Sequence, residues 1–136
     1  MLLLVDVKDK GGIMKKIILI FSLLTISVFS LDIVEPTKVK IKIKAKENNG
    51  IVKVKAAISH EMLSYDQAKK KGKKVNFITH IQAFVKENLV YDVYTSQFFS
   101  KNPFIKFKFV GKKGSKIKII YTDLKGQSFY DIKKIK

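Results

Sequence analysis

The sequence predicts an all-β fold of two packed antiparallel sheets built from about seven strands, on three observations. Apolar residues alternate with lysines at period two in several stretches, turn residues recur about every eight to twelve positions, and no segment carries a sustained apolar stripe of helical period. Successive side chains of a strand point to opposite faces, so this alternation describes strands with one wet face and one buried face.

The first strand starts at Val39, with Val39, Ile41, Ile43 and Ala45 on one face and Lys38, Lys40, Lys42, Lys44 and Lys46 on the other. Asn48, Asn49 and Gly50 accept positive φ and turn the chain into a second strand, where Val52, Val54, Ala56 and Ile58 oppose Ile51, Lys53 and Lys55. Ser59 to Lys74 breaks the rhythm. Its lysine cluster holds too much like charge for a buried element, and the segment is predicted as a long exposed loop, at most with a short helical turn over Leu63 to Lys71.

The third strand spans Val75 to Val85, with Phe77, Ile81, Ala83 and Val85 inward and Ile78 and Phe84 on the opposite parity. A turn at Lys86 to Leu89 leads to a fourth strand, Val90 to Phe98, whose buried face the pattern leaves open. Asn102-Pro103 turns the chain into Phe104 to Val110, where Ile105, Phe107 and Phe109 alternate with Lys106 and Lys108. Gly111 to Gly114 and Asp123 to Gly126 bracket a sixth strand through Ile117, Ile119 and Tyr121, and a seventh ends near Ile135. Seven short strands at this spacing fit an immunoglobulin-like antiparallel β-sandwich, without the cysteine pair and tryptophan of antibody domains.

Ahead of the sandwich, Lys15-Lys16 followed by the apolar run Ile17 to Phe29 reads as a secretory signal over residues 14–30, with small Ser30 at the cleavage boundary. That run is shorter than the roughly 20 residues needed to cross a bilayer, so no stable membrane insertion is expected after cleavage. Residues 1–13 precede an ordinary signal start and are read as a mis-assigned upstream extension, with translation beginning at Met14. Residues 31–136 then form the mature domain, exported to the periplasm.

The 136 residues contain no cysteine and no arginine, and the formal net charge is +17, carried by 28 lysines against 11 acidic residues. Thiol nucleophiles, thiolate metal ligands and disulfides are excluded within this polypeptide. His60 and His80 are far apart in sequence and show no metal-ligand spacing, so no metal or cofactor is expected. A weaker alternative is a periplasmic copper-binding protein using His60 and Met62, and another is a scaffold domain. No Ser/His/Asp order and no paired carboxylates mark an enzyme.

Nucleic acid is not the expected partner, because the lysines alternate on solvent faces and no arginine is present to read guanine. Steering of anionic substrates or an acidic protein is the better use of this field, with AT-rich coding bias the plain explanation. Phe84, Tyr94, Phe98, Phe99 and Phe104 exceed what one small inner face can hold, which points to a protein interface.

The segments Ile58-Ser59-His60-Glu61-Met62, Ser100-Lys101-Asn102-Pro103-Phe104 and Tyr121-Thr122-Asp123-Leu124-Lys125-Gly126 resemble the SoxZ family, one subunit of the periplasmic thiosulfate-oxidation carrier SoxYZ. The likeness runs from about Lys38 to Ile135. It differs from the family pattern at Glu61, at Leu63-Ser64-Tyr65, at Phe104 and at Tyr121. The resemblance implies a noncatalytic subunit paired with a SoxY-like partner, whose carboxy-terminal cysteine carries covalent sulfur intermediates and visits sulfur-oxidising and hydrolysing enzymes in turn. It further implies that His60, Met62, Asn102, Pro103, Phe104, Asp123 and Gly126 shape loops near the partner. Lys69, Lys70, Lys71, Lys73 and Lys74 would attract anionic sulfur species.

Overall fold

A computed structural model describes residues 34–136, together with the backbone of residues 3–8 and 14–19. The chain divides into two compact units, residues 1–32 and 33–136. In the first, β1 (Leu3–Lys8) and β2 (Met14–Leu19) form an antiparallel hairpin. The rest of the predicted signal, including its cleavage boundary at Ser30, lies outside the described residues.

The second unit contains β3 (Thr37–Lys38), β4 (Lys42–Asn48), β5 (Ile51–Ala57), α1 (Tyr65–Lys71), β6 (Ile78–Val85), β7 (Asn88–Tyr94), β8 (Phe104–Val110), β9 (Lys116–Asp123) and β10 (Ser128–Lys134). Two sheets result. One has five strands in the order β3-β10-β9-β6-β7, and the other has three, β4-β5-β8. Every pairing is antiparallel except the short β3 against β10. The fold is therefore mostly β and sandwich-like, with one short helix.

The period-two pattern decides which residues meet between the sheets. Ile43, Ala45, Val52, Val54, Ala56 and Ile105 face Ile78, Ile81, Ala83, Ile117, Ile119 and Tyr121 in one buried cluster. At the open edges, Tyr91 of β7 stacks on Phe107 of β8 with ring centroids 4.2 Å apart, which closes the core where the sheets diverge. At the other edge the chain end crosses between sheets. Ile135 is fully buried, and Lys136 exchanges backbone hydrogen bonds with β4, donating to Ala45 at 3.1 Å and accepting from Glu47 at 2.8 Å.

Three sequence expectations need correction. The first strand is not continuous from Val39: β3 pairs with β10, the backbone breaks, and β4 joins the other sheet. Asp131 holds this crossing by accepting from the Ile41 N–H at 2.9 Å. In β6 the register slips between Ile78 and His80, so Ile78 and Ile81 both point inward although their parity differs. The predicted loop over residues 59–74 contains α1.

That helix is short but fully capped. The Ser64 hydroxyl accepts from the Gln67 N–H at 3.3 Å, and the Gln67 side-chain carbonyl accepts from the Ser64 N–H at 3.2 Å. Gly72 ends it at φ 60°, a left-handed conformation glycine adopts without a Cβ clash. Lys69, Lys70 and Lys71 fall in the last turn, where cations are favoured, so their mutual repulsion is partly offset.

The two kinds of anchor differ in size. Ile119→Ala is expected to lower unfolding free energy by about 2–5 kcal/mol, as for other fully buried aliphatic truncations. Ser64→Ala is expected to cost about 1 kcal/mol through loss of the cap. Urea unfolding of both variants checks the order; an equal or larger loss from the cap would mean that α1, and not the inter-sheet cluster, carries the fold.

Candidate functional site at the His60 end of the sandwich

The site is built where β5 runs out. Ile58 donates its N–H to the Pro103 carbonyl at 2.9 Å, and two residues further on the chain is clamped to Asn102 from both sides. The His60 N–H donates to the Asn102 side-chain oxygen at 3.2 Å, while the Asn102 N–H donates to the His60 carbonyl at 3.3 Å. Asn102 takes φ 51°, which asparagine tolerates better than bulkier residues. Pro103 is fully buried behind it.

Met62 turns into the core at 5% exposure, and its sulfur accepts the Ile78 N–H at 3.3 Å beside the β6 irregularity. This gives the thioether a structural job. Among the described residues no group of three or more His, Cys, Asp or Glu side chains lies close enough to hold a metal.

Asp123 is the one buried charged residue among those described, at 3% exposure, and donors surround its carboxylate. One oxygen accepts from the Lys125 and Gln127 N–H groups, both at 3.0 Å, and the other accepts from the Asn76 amide at 3.1 Å. Gly126 completes this turn at φ 76° and donates to the Asp123 carbonyl. Asn76 passes the connection on, since its backbone and that of Leu63 exchange hydrogen bonds at 2.7 and 3.2 Å. The two motif segments at residues 58–62 and 121–126 are thus tied through Asn76, a residue no linear pattern singles out.

His60 stands edge-on to the Tyr121 ring, centroids 6.0 Å apart, and Tyr121 stacks in turn on Phe129. Burial lowers the His60 pKa below its ordinary 6.5, against the opposing pull of the Asp123 and Glu61 carboxylates. Burial also raises the Tyr121 pKa, and the Asp123 charge adds to the rise. The His60 Nδ1 and the Asn76 Oδ1 are both buried without a protein partner. Both residues line a cleft of about 300 Å³ shared with Leu63, Lys73, Lys74 and Lys125. Lys73 bonds Glu61 at 3.1 Å and holds that carboxyl below its usual range.

The predicted site residues therefore separate. His60, Met62, Asn102, Pro103, Asp123 and Gly126 gather at one end of the sandwich. Lys73 and Lys74 reach the His60 cleft and Lys71 an adjoining one, whereas Lys69 and Lys70 line neither. Phe104 begins β8 on the outer face of the three-stranded sheet, half exposed beneath the Lys106 ammonium. His80 belongs elsewhere, stacked on Tyr94 at 4.2 Å and bonded to Asp92 at 2.5 Å on the five-stranded sheet.

The family profile described as "Sulphur oxidation protein SoxZ" matches residues 39–134, the whole of the sandwich from just after β3 to the end of β10. The chain belongs to the SoxZ family. It is a SoxZ-type sulfur-carrier subunit, and membership of this family points to a periplasmic protein. Among the described residues no helix is long and apolar enough to cross a membrane.

Solved structures show the same fold at low identity. The sulfur carrier protein SoxY from Chlorobium limicola f thiosulfatophilum superposes with a TM-score of 0.52 at 16% identity, over 76% of this chain and 80% of that one. A threonine-to-lysine variant of a superoxide reductase (neelaredoxin) from Ignicoccus hospitalis gives 0.52 at 14% identity, over 75% and 81%. A hypothetical protein from Pyrococcus horikoshii OT3 gives 0.50 at 15% identity, over 75% and 90%. No curated protein matches the chain.

The lowered His60 pKa fixes a sign for pH dependence. The folded chain binds this proton more weakly than the unfolded chain, so stability is complete above the unfolded value near 6.5 and declines as pH falls toward the folded value. Chemical denaturation at about pH 7.5 and about pH 5.5 is expected to show the weaker fold at the lower pH, with His60→Gln reducing the difference. An unchanged pH dependence in His60→Gln would remove His60 as its source.

Proposed function

We propose that this chain is the noncatalytic half of a periplasmic sulfur-carrier heterodimer and seats a SoxY-like subunit whose carboxy-terminal cysteine holds the sulfur intermediates. One observation carries the reading: a SoxZ profile covers the sandwich from β4 through β10 in a chain with no cysteine of its own. A sulfur carrier needs a sulfur nucleophile, and here only another polypeptide can supply it.

The outer face of the five-stranded sheet suits such a partner. Tyr130, Ile120, Gln82 and Asp92 form one cross-strand row, and Ile132, Lys118, Phe84 and Leu89 form the next. Leu89 and Ile132 are about half exposed, and Tyr94, two rows further along β7 on the same face, is 77% exposed. Aromatic and aliphatic area with few charges is the composition of a desolvated protein contact. The His60 cleft, with Lys73, Lys74 and Lys125 at its rim, would lie along the path of the partner's arm and favour its anionic adducts.

The order β4-β5-β8 against β10-β9-β6-β7 supports an immunoglobulin-like reading of the sandwich. Lys15-Lys16 and the apolar run Ile17 to Phe29 support an export signal over residues 14–30, with the mature subunit beginning near residue 31. Loaded carrier then meets its oxidising and hydrolysing enzymes transiently.

Co-expression with genomic neighbours followed by intact-mass spectrometry tests the assignment. A stable complex is expected, with thiosulfate-derived mass on a partner cysteine and none on this chain. An adduct on the isolated chain, or isolation of the chain alone beside all its neighbours, would overturn it.

A further inference from the structure

The outer face of the three-stranded sheet is a lysine lattice. Strand register sets Lys44, Lys55 and Lys106 in one row across β4, β5 and β8, and Lys46, Lys53 and Lys108 in the next. All six are exposed, and no acidic residue interrupts either row. The nearest carboxylate in β4, Glu47, has the opposite parity and accepts the Gly50 N–H of the hairpin turn at 2.6 Å. Among the described residues none of the six lysines forms an ion pair.

Directly opposed residues stand about 4.5–5.5 Å apart at Cβ, so each row sets like charges against one another, an arrangement that weakens a sheet. Coding bias alone does not produce it. The same bias acts on the five-stranded sheet, yet there lysine faces lysine at the end of one strand pair, Lys116 opposite Lys134, while the two outward rows described above contain a single lysine, Lys118, which lies over the Tyr130 ring at 4.6 Å. The unbroken rows of lysine belong to the three-stranded face.

A protein partner is a poor occupant for this lattice, because the centres of protein interfaces are depleted in lysine and enriched in arginine and aromatics. Lysine acts as a hydrated point charge on a flexible stem and makes no bidentate match. An array of one sign, without directional groups, complements a surface that is itself uniformly anionic. Exposed apolar side chains stand at both ends of the lattice, Phe104 at one and Ile51 opposite Val110 at the other, with Val110 84% exposed. We propose that this face adsorbs the protein to anionic phospholipid bilayers, lying on the headgroups without crossing them. The inference goes beyond the carrier assignment and does not rest on it.

Vesicle co-sedimentation of the purified chain, alone and with its copurified partner, tests this. The probes are phosphatidylcholine vesicles and vesicles containing about 30% phosphatidylglycerol, at low and high salt. Binding is expected only to the anionic vesicles and only at low to moderate salt. The quadruple variant K53Q/K55Q/K106Q/K108Q is expected to lose about 1000-fold in partition coefficient, roughly fivefold per lysine, while its thermal midpoint does not fall. The variant K69Q/K70Q/K71Q/K74Q carries the same change in net charge and is expected to lose less than about tenfold, since those lysines lie outside the lattice. Equal losses from both variants would reduce the effect to net charge and overturn the assignment. So would loss of vesicle binding when the partner is present, which would make the lattice a protein contact, or equal binding to neutral vesicles.

Discussion

The structure depends on burial between two sheets of unequal width, in a chain that has no disulfide to help. The aliphatic cluster around Val52, Ile81, Ile117 and Ile119 must do most of the holding without a covalent tie, and this requires that almost every inward position be apolar and well packed. The exception is Asp123. A buried carboxylate is tolerated because three donors meet it, the N–H groups of Lys125 and Gln127 in the turn that follows and the side-chain amide of Asn76. The one buried charged group among the described residues thus fixes the end of β9 against the start of β6, and through Leu63 it fixes the segment that carries His60. The geometry of the candidate site follows from the terms on which that charge is buried.

What the sequence made legible was the alternation. Strands β4, β5, β8 and β9 could be read directly because one wet face and one buried face write lysine and isoleucine at period two. Strand β7 could not be oriented, since Val90, Tyr91 and Val93 all pack against the core at an edge where the sheets splay. The slip in β6 defeated parity for the reason bulges always do, as it adds one residue without any compositional mark. Helix α1 is a different case. Lysine repulsion argued against it, but Ser64 and Gln67 spell a capping box and Gly72 supplies the left-handed end, so the local signals for a short helix were present and outweighed the charge.

The candidate site was legible as a set of motif residues and not as a set of roles. Asn102-Pro103 and Asp123 to Gly126 turn out to hold backbone in place, and Met62 offers its sulfur to a backbone N–H in the core. At 5% exposure that sulfur is packed in the core and not presented to an incoming copper ion. Asn76 escaped notice because an isolated asparagine before a strand is common, and only the approach of β9 shows what its amide holds. The lysine lattice escaped for a related reason. Each strand displayed its own lysines, but whether lysine faces lysine across β4, β5 and β8 is decided by register, which follows from hairpin geometry and long-range pairing.

The two outer faces of the sandwich are therefore not equivalent, and the difference bears on how a subunit without a reactive group contributes to carriage. A face that is to be covered by another protein must shed its water, and lysine is among the costliest residues to desolvate without a partner charge. Such a face should be poor in lysine, as the rows around Ile120 and Phe84 are. A face that keeps its hydration can hold six opposed ammonium groups at a tolerable loss of stability, because water and salt screen them from one another. Segregating the charge lets one side of a small sandwich remain open to a protein while the other holds a long-range attraction for anions. Mixing the same lysines over both faces would weaken each property.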